Sequence, residues 1–113
     1  MVIQLDFSNL NAITDGNEAL NRKLLLAFLE ELQAIQLFFE SEEYKVAELF
    51  SSRYHKLLPS LEMFGLLDYV SSLSELKEKI KQTGWNDEYA DLRDQCVQNL
   101  IVITNEVVQY QSN

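Results

Sequence analysis

Residues 17–40 read NEALNRKLLLAFLEELQAIQLFFE and contain neither glycine nor proline. Apolar side chains recur in this segment at steps of three or four residues, at Leu20, Leu24, Phe28, Leu32, Ile35 and Phe39. An α-helix has about 3.6 residues per turn, so side chains at this spacing line one face. The segment therefore predicts an amphipathic helix over residues 17–40.

The same spacing recurs in three later segments. Residues 43–64 carry Ala47, Phe50, Tyr54, Leu57, Leu61 and Phe64; residues 66–81 carry Leu66, Val70, Leu73, Leu76 and Ile80; residues 87–110 carry Leu92, Cys96, Leu100, Ile103 and Val107. We expect residues 97–108 to be helical despite their valines and isoleucines, because strand propensity is weaker than a sustained period. Lys77, Lys79 and Lys81 are interpreted as the basic end of the third helix, which the helix dipole favours.

The connections between these segments predict the topology. The chain contains 3 glycines and 1 proline, and short connections make successive helices antiparallel neighbours. We therefore expect an all-α fold, an antiparallel up-down-up-down four-helix bundle, formed by residues 1–113 as a single domain. A short N-terminal helix is predicted over residues 8–13, with Ser8 as its cap, and Asn86 or Asp87 is predicted to cap the last helix.

The charge of the chain limits its partners. Its 113 residues include 18 acidic and 9 basic side chains, for a net charge of −9. Such a chain repels phosphate backbones and anionic lipids, so we expect neither nucleic acid nor a membrane as a partner. The longest apolar run, residues 24–29, is too short to cross a bilayer, and residues 1–6 lack the features of a signal peptide. We expect a cytoplasmic monomer.

Several kinds of site are disfavoured by residue counts. Cys96 is the only cysteine and His55 the only histidine, so neither an intramolecular disulfide nor a zinc site of cysteines and histidines is possible. No glycine-rich phosphate loop is present, and we expect no cofactor and no metal. We expect Cys96 to pack in the core. Acidic pairs such as Glu30-Glu31 are interpreted as solvated surface.

The functional prediction depends on His55. At about 100° per residue, it lies roughly 130° from the centre of the apolar face formed around Tyr54 and Leu57, which we expect to be buried. It is thus predicted to point into solvent from the middle of the helix. A lone exposed histidine is often a surface residue without a role, but a neutral imidazole also attacks phosphorus well near pH 7. Neighbours on the same side predict a contact surface for a partner, with Leu58 and Pro59 exposed: Ser51, Ser52, Leu58, Pro59 and Glu62.

Residues 55–65, HKLLPSLEMFG, resemble the sequence pattern of histidine-containing phosphotransfer domains, which are four-helix bundles of phosphorelays. In that pattern an apolar residue follows the histidine by two positions, a lysine by three, and glycines by four and ten, the second often after an aromatic residue. This sequence matches at His55, Leu57, Phe64 and Gly65. The short opening helix, the break at residues 15–17 and the apolar segment at residues 25–32 extend the resemblance over about residues 5–110.

The resemblance implies that His55 accepts a phosphoryl group from a histidine kinase or a receiver domain and passes it to a response regulator. Magnesium and the catalytic carboxylates would belong to the receiver, so this chain would be a phosphocarrier and not an enzyme. Two positions depart from the pattern, because Leu58 replaces the lysine and Pro59 replaces the first glycine. Pro59 lacks an amide proton and is expected to kink the helix. Two alternatives stay open: a related bundle that binds a receiver or kinase without phosphorylation, and an unrelated helical interaction module.

Overall fold

Five α-helices follow one another along the part of the chain that the computed structural model describes, residues 5–112. They are α1 (Ser8–Thr14), α2 (Glu18–Glu40), α3 (Ala47–Met63), α4 (Leu67–Thr83) and α5 (Ala90–Ser112), with 3₁₀ turns at Glu43–Lys45 and Asp87–Tyr89. Residues 5–112 contain no β-strand, and the all-α prediction is confirmed. α5 spans residues 97–108, so the helical period did outweigh strand propensity there. Residues 1–4 and 113 of the predicted domain lie outside the described residues.

The cap of the first helix differs from the prediction. The Asn17 side chain accepts a hydrogen bond from the Leu20 amide at 3.0 Å and caps α2, and Asn86 accepts one from the Glu88 amide. Ser8 does not cap α1; it lies inside the helix. Instead, the Asp6 carboxylate accepts hydrogen bonds from the Ser8 hydroxyl and amide, which lower the pKa of Asp6. Both donors of Ser8 bond to the same carboxylate oxygen, Oδ1 of Asp6, because an ionised carboxylate oxygen can accept more than one hydrogen bond.

The predicted start of the second long helix at residue 43 was wrong. Glu42 adopts a left-handed conformation, with φ +66°, and is followed by the 3₁₀ turn Glu43–Lys45. Val46 is then extended, so α3 begins only at Ala47. A left-handed residue without glycine is uncommon, and the spacing of apolar residues gives no sign of it.

The buried face of α2 is also shifted from the predicted one. Its buried residues are Leu25, Phe28, Leu32, Ile35, Phe38 and Phe39. Leu20, by contrast, is 41% exposed, and Leu24 is half-buried. The cause lies in the run of three leucines at residues 24–26, where spacing alone does not choose which one faces the core.

The core is apolar and connects the helices pairwise. α2 contacts α3 and α5, α3 packs extensively against α4, and α4 packs against α5. The Phe28 ring stacks on Phe64 with 4.3 Å between ring centroids. The buried Tyr69 hydroxyl donates a hydrogen bond to the Cys96 carbonyl at 3.0 Å and joins α4 to α5. Cys96 is fully buried, as predicted.

The C-terminal end of α3 is fixed by a glycine. Gly65 adopts φ +71°, and the Leu66 amide reaches back to the Leu61 carbonyl at 2.9 Å, which is the hydrogen bond of a Schellman motif. The segment before α1 lies directly on this turn, because the Asp6 amide donates to the Phe64 carbonyl at 2.9 Å. This contact joins the start of the described chain to the end of the helix that carries His55.

No helix within residues 5–112 is both long enough and apolar enough to cross a membrane.

Candidate functional site

His55 lies half-way along α3, on the face that points away from the core. The opposite face of α3 buries Phe50, Leu57 and Leu61, and the His55 side chain is exposed, as the helical spacing predicts. Within the described part of the chain, the imidazole has no hydrogen-bond or ion-pair partner. The exposed imidazole therefore faces a reagent or a partner protein that approaches from solvent.

The helix itself brings the predicted contact residues together around His55. Ser51 and Ser52 lie one turn before the histidine, Leu58 and Pro59 one turn after it, and Glu62 two turns after it. Ser52, Pro59 and Glu62 are exposed, whereas Ser51 and Leu58 are half-buried. The predicted exposure of Leu58 was therefore wrong. Leu58 lies one turn after Tyr54 on α3, and part of its side chain is covered.

Pro59 does not break α3. The helix continues past it to Met63, so the expected kink does not interrupt the helix. Proline has no amide proton, and the His55 carbonyl consequently lacks the hydrogen bond that residue 59 would otherwise donate. Because Pro59 is exposed, water can satisfy that carbonyl. The main-chain oxygen beside the candidate phosphoacceptor is thus free to bind solvent.

A cation of the neighbouring helix lies against Tyr54, the residue that precedes His55, and the helical spacing does not predict this contact. The Lys77 Nζ atom of α4 is 4.3 Å from the centroid of the Tyr54 ring. Tyr54 is only half-buried, which contradicts the prediction that it is buried. The lysine stem covers one part of the Tyr54 ring at the α3–α4 interface. The rest of the ring is in contact with solvent. Lys77 also does not belong to the last turn of α4, which ends at Thr83 and contains Lys81.

The basic residues of α3 itself face another direction. Arg53 and Lys56 line a cavity of about 180 Å³ between α3 and α2, together with Glu31, Ala34 and Leu57. Glu31 is half-buried, and its Oε2 atom is buried without a hydrogen-bond partner among the described residues. The interpretation of Glu31 as solvated surface was therefore wrong, because the α2–α3 cavity encloses part of its side chain.

The described residues contain no group of three or more histidine, cysteine, aspartate or glutamate side chains placed to hold a metal ion. Comparison of the chain with protein-family models, with curated proteins and with solved structures found no match.

Proposed function

We propose that the protein is a phosphocarrier in which His55 accepts a phosphoryl group and passes it to a receiver domain. The observation that carries this proposal is the exposed, unpartnered imidazole half-way along a stiff helix. An imidazole in that position approaches a partner's active site without rearrangement of its own chain. The sequence offers no second histidine for this chemistry.

The transfer step follows from the chemistry of imidazole. The unprotonated ring nitrogen attacks the phosphorus of an aspartyl phosphate on the donor. A nitrogen–phosphorus bond forms, the phosphorus–oxygen bond to the donor breaks, and the aspartate carboxylate leaves with the electron pair. The other ring nitrogen keeps its proton. The second transfer, to the aspartate of a response regulator, reverses this exchange. Magnesium and the carboxylates that bind it belong to the partner in this proposal.

The proposal includes the arrangement of the helices and the docking face. We propose an antiparallel up-down-up-down bundle of α2 to α5, which is supported by the short connections and by the packing of α2 against both α3 and α5. The partner would dock on the outer face of α3 around His55, through Ser51, Ser52, Leu58, Pro59 and Glu62. We further propose that the protein acts as a monomer in the cytoplasm, where receivers and kinase domains are found.

A second candidate function is binding of a receiver or kinase without phosphorylation. Leu58 and Pro59 favour it, because they stand where the phosphotransfer pattern has a lysine and a glycine. The apolar surface of these two residues suits docking, whereas neither contributes a charge to a phosphoryl group.

The two candidates are distinguished by labelling of the protein with phosphorylated receiver domains. We expect acid-labile, base-stable phosphate on the wild type and none on His55→Gln. The unfolding free energy should change by no more than about 0.5 kcal/mol, because exposed substitutions away from caps and core have small effects. Gln98→Ala, at an exposed position of α5 outside the proposed docking face, is the control and should be labelled normally.

Persistent labelling of His55→Gln would show that the phosphate is elsewhere. A wild type that binds a receiver but takes up no phosphate from any donor would replace the phosphocarrier proposal with the binding function.

A further inference from the structure

A phosphoryl group on His55 would lie in an unfavourable charge environment on α3. It would carry close to two negative charges near neutral pH, and Glu48 and Glu62 are exposed about two turns away on either side of His55. The chain as a whole carries a net charge of −9. A cation in contact with the phosphoryl oxygens would offset this repulsion through charge-assisted hydrogen bonds. The residue one turn after His55 is Leu58, which has no charge.

The cations of α3 are placed on the wrong side of the helix. Arg53 and Lys56 line the cavity that faces α2 and Glu31. His55 points away from the core, and the α3 surface beside it on the other side is Tyr54, which lies against α4. A cation that serves His55 from this side has to come from α4.

Lys77 of α4 meets this requirement. Its Nζ atom is 4.3 Å from the ring centroid of Tyr54, the residue that directly precedes His55. The other partner of Lys77 is Glu78, at 3.5 Å; the Lys77 side chain is 19% exposed and the Glu78 side chain 47%. A partly exposed ion pair between neighbouring residues and a contact with an aromatic face are both weak. The ammonium group sits at the end of a flexible four-carbon stem and can turn from the ring toward a nearby anion.

We infer that Lys77 is the cation that positions the phosphoryl group on His55. It supplies the positive charge that Leu58, which stands at the position of the pattern's lysine, does not carry. This inference rests on the phosphocarrier function proposed above. In the free protein the ammonium lies over the Tyr54 ring, one residue before His55. When the phosphoryl group arrives, the ammonium donates hydrogen bonds to its oxygens.

The test measures the rate of His55 phosphorylation by phosphoramidate, a small phosphodonor that removes partner docking from the measurement. We expect Lys77→Gln to lower the rate by about 10- to 100-fold, the range for a lost hydrogen bond to a charged group. Lys77→Arg should restore most of the rate. Lys81→Gln, on the same helix but in its last turn, is the matched control and should react as the wild type does.

A second variant separates this role from simple packing. If Lys77 acted only by covering Tyr54, then Tyr54→Leu would cause the same loss as Lys77→Gln; we expect Tyr54→Leu to keep most of the rate, with folding of each variant checked by circular dichroism. Equal rates for Lys77→Gln and the wild type would overturn the inference and leave the phosphocarrier function intact. A wild type that is not phosphorylated on His55 by phosphoramidate or by any receiver would overturn both.

Discussion

Leu58 is the residue at which this chain differs most consequentially from the phosphotransfer pattern it resembles. Its side chain is half-buried and lies one turn after His55. A lysine at this position could keep its aliphatic stem along the α3–α4 surface and extend its charge into solvent. The position is therefore compatible with a cation, although the sequence does not place one there.

Leu58→Lys should raise the rate of His55 phosphorylation, because it adds a charge-assisted contact to the phosphoryl oxygens. The increase should be largest in the Lys77→Gln background, where we expect the added lysine to recover about tenfold in rate. The rate is measured with the same phosphodonor for the single and double variants. Leu58→Met, which keeps the volume and adds no charge, is the control. If Leu58→Lys and Leu58→Met react equally, charge at this position is irrelevant to the rate.

At the scale of the element, the end of α3 depends on Gly65. A Cβ atom added there would lie 3.0 Å from the Cβ of Asp6, in addition to the left-handed φ of +71°. Gly16 has nearly the same φ, +74°, but an added Cβ would have no atom within 4 Å. Gly16 therefore separates the cost of the positive φ from the cost of the contact with Asp6.

Gly65→Ala should lower the unfolding free energy by more than Gly16→Ala. The control should cost about 1–2 kcal/mol, the penalty of a left-handed residue with a Cβ. Gly65→Ala should add to this about 1 kcal/mol, because displacement of Asp6 weakens its hydrogen bond to the Phe64 carbonyl. Urea unfolding of the two variants checks the order. Equal losses would mean that the segment before α1 moves aside at no cost.

The helices could be predicted from the sequence, whereas several of their details could not. The spacing of apolar residues is a local property, and it gave all four long helices and the exposure of His55. The start of α3 depends on the left-handed conformation of Glu42. A glutamate does not predict this conformation, as a glycine would. The buried face of α2 depends on which of three consecutive leucines contacts the other helices. That choice is made by packing between helices, about which the spacing of apolar residues carries no information.

The candidate site, too, could be predicted from the sequence only in part. The residues around His55 follow from positions on one helix and were found from the sequence. Lys77 reaches this neighbourhood from α4, and its contact with Tyr54 exists only because α3 and α4 pack together in this register. Nothing in the basic run at residues 77–81 distinguishes the lysine beside Tyr54 from the one at the helix end.

At the scale of the whole molecule, both ends of the helical assembly are held by aromatic contacts. Phe7 stacks on Tyr110 with 3.8 Å between ring centroids. Toward the connection between α2 and α3, Arg93 Nη1 donates a hydrogen bond to the Tyr44 hydroxyl at 2.7 Å, and Trp85 packs edge-on against the Tyr44 ring. The Tyr44 hydrogen bond raises the pKa of Arg93. These contacts tie the segment before α1, and the connection between α2 and α3, to α5.

At alkaline pH, the unfolding free energy of the protein should depend on two buried acidic groups, the Cys96 thiol and the Tyr69 hydroxyl. Burial raises the pKa of Cys96 to about 12, and the charge of Glu75 adds to the effect. Burial also raises the pKa of Tyr69 well above its usual value, with a further contribution from Cys96. Both groups are neutral in the folded protein. The hydrogen bond from the Tyr69 hydroxyl to the Cys96 carbonyl joins the two helices that carry them, α4 and α5.

We therefore expect the unfolding free energy to fall as the pH rises above about 8.5, where an unfolded cysteine begins to lose its proton. Above this pH the unfolded chain binds fewer protons than the folded one, so each further pH unit costs about 1.4 kcal/mol per group until the folded thiol ionises near pH 12. Tyr69 adds a second loss above about pH 10.

Urea unfolding between pH 7 and 10 measures the first loss, and Cys96→Ala should remove it even though that variant is less stable at pH 7. A wild-type curve as flat as that of Cys96→Ala over this range would mean that the thiol is accessible to solvent and that α5 is not packed against α4 as tightly as the buried Cys96 and Tyr69 require.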